Sequence, residues 1–200
     1  MNKIHYVKEN EYINGKTDSI FTNLNSKHSV LMEKLKYFYN NKDNLNTFLS
    51  TVNNETKLSL RIIDFFITNY ARENEIIYNV DKVRFMVYYS YKSQLKAYSK
   101  KQFDPFCRRE RILFFIDKYD GTQCDPIRTT VGQLNFFRWA ITNNVLDYIA
   151  ENYSDIESKM NKIYKKDKKK YTKPAEDNMT LSASKKISKH NITITVKFNK

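Results

Sequence analysis

The sequence is poor in glycine. Only three of its 200 residues are glycine, Gly15, Gly121 and Gly132. Loops that cradle nucleotide phosphates need closely spaced glycines, as in GxGxxG or GxxxxGK[ST]. No such pattern can be drawn from three glycines so far apart. The composition therefore argues against nucleotide-binding enzymes of the Rossmann and P-loop classes.

Residues that bind metal ions are also scarce. The chain has two cysteines, Cys107 and Cys124, and three histidines, His5, His28 and His190, none at metal-ligand spacing. We therefore expect no metal site and no cofactor. Two isolated cysteines fit a reducing compartment, where a buried thiol packs as a small apolar side chain. A Cys–His nucleophile pair is the less favoured alternative.

Long apolar runs are missing. Among the longest is ILFFI at 112–116, and the first residues, MNKIHYVKENEY, lack the apolar stretch of a signal peptide. A helix that spans a bilayer needs about 20 apolar residues. We therefore expect a soluble protein of the cytoplasm with no membrane span.

Aromatic side chains and positive charge are plentiful. Aromatic residues make up 14% of the chain, which supplies material for a core, and the net charge is +13. The excess is concentrated in residues 156–200, with 13 lysines against 4 acidic residues. Such a balance indicates an acidic partner, nucleic acid or an anionic membrane. A coding bias towards lysine would produce the same count, so the count alone does not decide.

Apolar periodicity predicts a mostly helical chain. The first predicted helix begins after Ser26 or Ser29. Four further helices are predicted at about 43–52, 57–72, 130–142 and 145–164. Thr130 followed by Gln133 matches the capping box that begins a helix. Val145, Ile149 and Tyr153 start an apolar stripe that continues to Ile163.

Two segments alternate with the period of a strand. They are VRFMVYYSY at 83–91 and the end of the chain, 192–198 in NITITVKF. Because an isolated strand leaves its backbone groups unpaired, we expect these two strands to pair. The predicted fold is thus α+β, a mostly helical single domain with a small β element. The predicted parts are a loose lead-in 1–25, a helical core 26–164, a basic linker 165–190 and a terminal strand 191–200.

The most basic stretch is IYKKDKKKYTK, residues 163–173, which holds six lysines. If the last helix continues past Ile163, its lysines recur every three or four residues on one face and form a stripe that neutralises phosphates. The lysines predicted to bind nucleic acid are Lys159, Lys162, Lys165, Lys166, Lys169, Lys170, Lys173, Lys185, Lys186 and Lys189. The alternatives are a solvated helix end that complements the helix dipole, and a membrane-surface segment.

The segment QFDPFCRRERI, residues 102–112, is a second candidate. Its arginines and phenylalanines are Arg108, Arg109, Arg111, Phe103 and Phe106. Guanidinium groups bind phosphates in a bidentate manner, and aromatic rings stack on bases. Alternatively, arginines at a helix start pair with Asp104 or Glu110 while the phenylalanines fill the core.

Two further interpretations concern Trp139 and the triplet 157–159. Trp139 lies off the apolar stripe of its helix and is a candidate interface anchor, unless the helix is buried on two sides. Glu157 and Lys159 match half of a nuclease motif, with Asp147 and Asp155 upstream. We expect no catalytic residues and no enzyme, with a metal-dependent nuclease as the alternative.

Three blocks carry a family resemblance: YKSQLKAYSKKQFDPFCRRERI, TTVGQLNFFRWAITNNVLDYI, and LSASKKI followed by ITVKF. Over roughly residues 83–200 they resemble an uncharacterised group of proteins from large nucleocytoplasmic DNA viruses. The resemblance implies a viral protein in the cytoplasm of the infected cell, associated with the virion or the genome. It transfers no catalytic residue or cofactor.

The sequence thus predicts a non-enzymatic viral protein that binds nucleic acid, with DNA as the first candidate and RNA as the alternative, through the phosphate backbone with low sequence specificity. The alternative is a structural or assembly protein of the virion that contacts other viral proteins.

Overall fold

The structure is a computed structural model that describes residues 4–8, 26–116 and 126–171. The chain divides into two compact units, Met1–Asn161 and Lys162–Lys200. The description of the second unit covers the final turns of the last helix, as far as Tyr171.

Helices dominate the described residues, and the strands form two small antiparallel sheets. The strands are β1 (Ile4–Lys8), β2 (Ile77–Val80), β3 (Val83–Met86), β4 (Arg111–Ile116) and β5 (Ile127–Thr130). The helices are α1 (Ser26–Tyr39), α2 (Lys42–Val52), α3 (Leu60–Phe65, continued by a π-helical turn Phe66–Tyr70 and by Ala71–Glu73), α4 (Val87–Gln102), α5 (Val131–Thr142), α6 (Val145–Glu151) and α7 (Tyr153–Tyr171). The predicted class, α+β and mostly helical, is confirmed.

A three-stranded sheet with the order β1-β4-β5 contains the apolar run ILFFI in its central strand. Ile112 and Phe114 point to one face and Leu113 and Phe115 to the other, and all four are buried. A continuous apolar run is typical of a strand covered on both faces. The predicted loose lead-in 1–25 is wrong at β1, because five residues are too few to show a period and β4 supplies their hydrogen bonds.

The second sheet is the hairpin of β2 and β3, in which Ile77 pairs with Met86. The predicted strand 83–91 is correct as far as Met86 and wrong beyond it, because helix α4 begins at Val87. Alternation in the sequence continues past the point where the backbone changes. The described partner of β3 is β2; the predicted terminal strand 192–198 lies outside the described residues.

Helix α5 lies at the centre of the core, and its central residues Leu134, Phe137 and Ala140 are fully buried. The hydroxyl of Thr130 accepts a hydrogen bond from the Gln133 backbone amide at 3.0 Å, so the predicted helix start is confirmed. The hydroxyl of Tyr39 in α1 donates to the Leu134 carbonyl at 2.8 Å. These contacts fix α1, β5 and α5 around one aromatic core.

The predicted helix 145–164 is divided at Asn152 into α6 and α7, and it ends later than expected. The predicted apolar stripe is buried at Val145, Ile149 and Ile156. Helix α7 continues to Tyr171, so the first residues of the predicted linker are helical.

Candidate nucleic-acid interface

A short irregular segment after α4 is organised by Asp104. The Asp104 carboxylate accepts two hydrogen bonds from the guanidinium of Arg108, at 2.8 and 3.1 Å, and a third from the Phe106 amide at 3.3 Å. The Asp104 side chain is 8% exposed, whereas that of Arg108 is 65% exposed and lies 4.5 Å over the Phe106 ring. The hydrogen bonds to Asp104 raise the pKa of Arg108. The Arg108 guanidinium is thus paired with Asp104 while it remains largely exposed at the surface.

Helix α5 holds this segment through buried polar side chains. Gln133 donates to the Pro105 carbonyl at 3.0 Å and accepts from the Thr129 hydroxyl at 2.8 Å. Asn135 donates to the Gln102 carbonyl at 2.9 Å. The backbones also approach closely at Gly132, where a Cβ would lie 3.1 Å from the Lys101 carbonyl oxygen. A side chain at position 132 would therefore require the Lys101 carbonyl to move by a few tenths of an ångström.

The three predicted arginines have different environments. Arg108 pairs with Asp104, as the alternative interpretation expected, and Phe103 is buried in the core. Arg109 is exposed in the irregular segment, and Arg111 is exposed at the first residue of β4. The expectation that these arginines stand at a helix start is wrong, because the chain enters a strand here.

Asp64 of α3 belongs to the same electrostatic group. Burial raises the pKa of its carboxyl, the Arg108 charge acts to lower that pKa, and the Asp104 charge acts to raise it. Two acidic groups therefore compete for one arginine. Asp104 and Asp64 thus offset the charge of Arg108, while binding of nucleic acid by the exposed Arg109 and Arg111 stays a prediction.

Trp139 is buried in the core and is not a surface anchor. It is 3% exposed, and its indole Nε1 donates to the Ser90 hydroxyl at 2.9 Å. Phe103 packs against its ring with centroids 5.6 Å apart. The prediction of an interface anchor at Trp139 is therefore wrong. A helix with one apolar stripe would expose Trp139 to solvent, but α4 covers that side of α5.

The predicted lysines divide at the boundary between the two units. In the first unit, Lys159 forms an ion pair with Glu73 at 3.0 Å, donates to Asn74 at 3.2 Å and lies 5.1 Å from the Tyr70 ring centroid. In the second unit, Lys162 and Lys165 are exposed on α7. The α7 backbone includes Lys166, Lys169 and Lys170, whereas Lys173, Lys185, Lys186 and Lys189 lie outside the described residues. Lys159 thus has a structural role that its position in the sequence does not reveal.

The residues of the nuclease alternative have other contacts. Glu157 accepts a hydrogen bond from the Tyr153 hydroxyl at 2.9 Å, Lys159 pairs with Glu73, and Asp147 is exposed on α6. Across 4–8, 26–116 and 126–171, no three His, Cys, Asp or Glu side chains are grouped so that they could hold a metal ion. Cys107 is a free, half-buried thiol.

Helix α4 carries a basic face that the periodicity of the sequence did not point to. Tyr89, Lys92 and Lys96 lie within an arc of about 60° at 100° per residue. Tyr89 is 65% exposed, and both lysines are exposed. Within the described part of the chain, neither lysine has an acidic partner. We call these three residues the α4 face.

The opposite side of α4 anchors this face to the core. Val87 is fully buried, Tyr91 packs against Phe103 at 6.0 Å, and Ser90 accepts the Trp139 hydrogen bond. The helix breaks at Ser99, whose φ is 57°. The α4 face thus lies on a continuous helical segment of about three turns, 87–98.

One signal in the sequence does mark this face. Between Asp81 and Asp104 the chain holds six lysines and arginines and no acidic residue. The basic residues are Lys82, Arg84, Lys92, Lys96, Lys100 and Lys101. The run is less dense than the C-terminal lysines, so a search for lysine clusters passes over it. A search for segments free of acidic residues finds it.

The comparisons with known proteins give a family without a known activity. The chain matches a family described as a family of unknown function (DUF7197) over residues 8–198. The chain belongs to this family. It is also 32% identical over 185 residues to "Uncharacterized protein L507" of Acanthamoeba polyphaga mimivirus, an alignment that covers 86% of this chain and 71% of the relative.

These matches confirm the resemblance to giant-virus proteins and extend it into the N-terminal part, which showed no resemblance on its motifs alone. No solved structure gave a significant match. Among the described residues, no helix is both long and apolar enough to cross a membrane.

Proposed function

We propose that this protein binds nucleic acid through the phosphate backbone, with the α4 face as the described contact surface. The observation that carries the proposal is the run from Lys82 to Phe103, which holds six basic residues and no acidic one. Two of them lie in the β2–β3 hairpin and four on α4, where Lys92 and Lys96 are exposed. Lysines that lack an acidic neighbour are available to replace the counterions of a phosphate chain.

The charges of the second unit support the same function independently. Lys162 and Lys165 are exposed on α7, and the helix continues through Lys166, Lys169 and Lys170. Exposed lysines on a helix can replace the counterions of a phosphate chain.

The chain belongs to a family with a giant-virus relative. We therefore propose that it binds viral nucleic acid in the cytoplasm of the infected cell, with DNA as the first candidate and transcripts as the second. The binding is not enzymatic and needs no cofactor in this proposal. A virion location is compatible with it, because a backbone-binding protein can be packaged with the genome.

The test is the affinity of the full chain for DNA and RNA, measured by fluorescence anisotropy across salt concentrations. With about 6–10 phosphate contacts, the affinity falls by about 10³–10⁵ between about 50 mM and 200 mM salt. A flat salt response, or no binding at the lowest salt, would refute the proposal.

The second candidate is a contact surface for another viral protein, as in a virion component. It is favoured by three exposed apolar side chains that line one cleft beside the β2–β3 hairpin: Ile77, Met86 and Tyr89. Exposed apolar groups that cluster, rather than scatter, mark binding surfaces.

A further inference from the structure

A small cleft opens beside the α4 face, between the β2–β3 hairpin and the start of α4. Its volume is about 230 Å³, room for roughly seven water molecules at about 30 Å³ each. Ile77, Met86, Tyr88 and Tyr89 line it together with the end of α3. A cleft of this size admits one aromatic ring system and little more.

The hairpin exposes these apolar groups because its other face packs against the helices of the core. Tyr78 stacks on Tyr148 with centroids 5.1 Å apart and an interplanar angle of 13°, and Phe85 packs against Trp139 at 6.2 Å. Residues alternate between faces along a strand. Ile77 and Met86, which pair across the hairpin, are therefore turned outward and are 38% and 44% exposed.

The surroundings of the cleft are basic on the side of the α4 face. Arg84 lies two residues before Met86 and is therefore on the same hairpin face, and Lys92 and Lys96 follow Tyr89 along α4. At the opposite rim, Arg72 and Glu75 are an oppositely charged pair of residues. An apolar cleft bordered by unpaired cations suits a ligand that has a flat apolar part joined to an anion.

We infer that this cleft receives an unpaired base of single-stranded nucleic acid while the α4 lysines contact the adjacent phosphates. The inference rests on the proposed function and makes it more specific. Every base has a π-face that stacks on an exposed tyrosine, and such stacking is worth about 1–3 kcal/mol per base. A duplex conceals these faces between its own base pairs, so it gains only the lysine contacts. The protein should therefore bind single strands more tightly than duplexes at equal salt.

The experiment measures anisotropy of the full chain with a labelled single-stranded DNA, the same sequence as RNA, and the DNA annealed to its complement. Tyr89→Ala should weaken single-strand binding about 5- to 150-fold and duplex binding much less, while Tyr89→Phe retains the stacking and most of the affinity. Because Tyr89 is 65% exposed, its replacement should leave the circular dichroism spectrum and the melting temperature unchanged.

The matched control is Tyr37→Ala, which removes a tyrosine that is 79% exposed on α1 with both Glu33 and Lys34 beside it. It should alter neither affinity. Equal affinity for single strands and duplexes, or single-strand binding that Tyr89→Ala leaves intact, would overturn the inference and assign the cleft to another ligand such as a protein. Both results leave the proposed function standing, which fails if the wild-type protein binds none of the three probes or if its affinity does not change with salt.

Discussion

Replacing Gln133 by leucine tests how the segment after α4 is held in place. Gln133 is 1% exposed, and its amide joins two groups that have no access to water, the Pro105 carbonyl and the Thr129 hydroxyl. Leucine is close to glutamine in size but can neither donate nor accept a hydrogen bond. Both partners would then be buried without a partner, at about 1–3 kcal/mol each.

The expected loss of stability follows from this count. Two orphaned groups cost about 2–6 kcal/mol, and the apolar side chain returns about 1–2 kcal/mol by the hydrophobic effect. At the middle of both ranges, the net loss for Gln133→Leu is therefore about 2.5 kcal/mol. For a chain of 200 residues, each kcal/mol lowers the melting temperature by about 2–4 °C.

Urea unfolding, followed by circular dichroism and by tryptophan fluorescence, measures this loss. Trp139 is the only tryptophan, and it packs against Phe103 at the start of the held segment. In Gln133→Leu, the change in tryptophan emission that follows release of the segment should therefore occur at a lower urea concentration than the loss of helical circular dichroism. Thr142→Val, at the exposed end of α5, is the control and should stay within about 0.5 kcal/mol of wild type. A Gln133→Leu variant as stable as the wild type would refute the account of this network.

Two other substitutions test the electrostatic group behind this segment. Arg108→Ala deprives the buried Asp104 carboxylate of its main hydrogen-bond partner, a loss that costs about 1–3 kcal/mol. Because Arg108 is 65% exposed, we expect the lower part of this range, about 1–2 kcal/mol, in urea unfolding. Arg109→Ala removes an exposed charge, so a comparable loss there would contradict the assignment. For Asp64, burial raises the pKa in the folded state above its ordinary value of 3.8, so the folded protein loses stability as pH rises from the unfolded to the folded pKa. Asp64→Asn should therefore be more stable than wild type at neutral pH and show a smaller change in acid; a variant less stable at neutral pH would contradict the direction of the shift.

The helices could be predicted where a single apolar period extends over several turns. The helices α1, α2, α3 and α5 begin within a few residues of the predicted positions, and the Thr130 cap fixes the start of α5. The capping box was half correct, because the Gln133 side chain turns to Pro105 instead of back to Thr130. That choice depends on a distant segment docking at Gly132, which no local pattern contains.

The β structure and the site depend on contacts that the sequence does not display. Strand β1 is stabilised by β4, more than a hundred residues later, and its five residues carry no period of their own. Trp139 looked like a surface residue because a helical wheel shows one buried stripe, while α5 is buried on two sides. Lys159 looked like one lysine among many until Glu73 and Asn74 were placed beside it.

The most direct test of nucleic-acid binding at the α4 face compares two variants with the same change of charge. Lys92→Gln/Lys96→Gln removes the lysines of the α4 face, and Lys42→Gln/Lys57→Gln removes two exposed lysines elsewhere in the first unit. The slope of log affinity for duplex DNA against log salt should decrease in magnitude by about 1.8 in the first variant, since each phosphate contact contributes about 0.9. The control variant should keep the wild-type slope. An unchanged slope in the α4 variant, or an equal decrease in both, would contradict the placement of the phosphate contacts on this face.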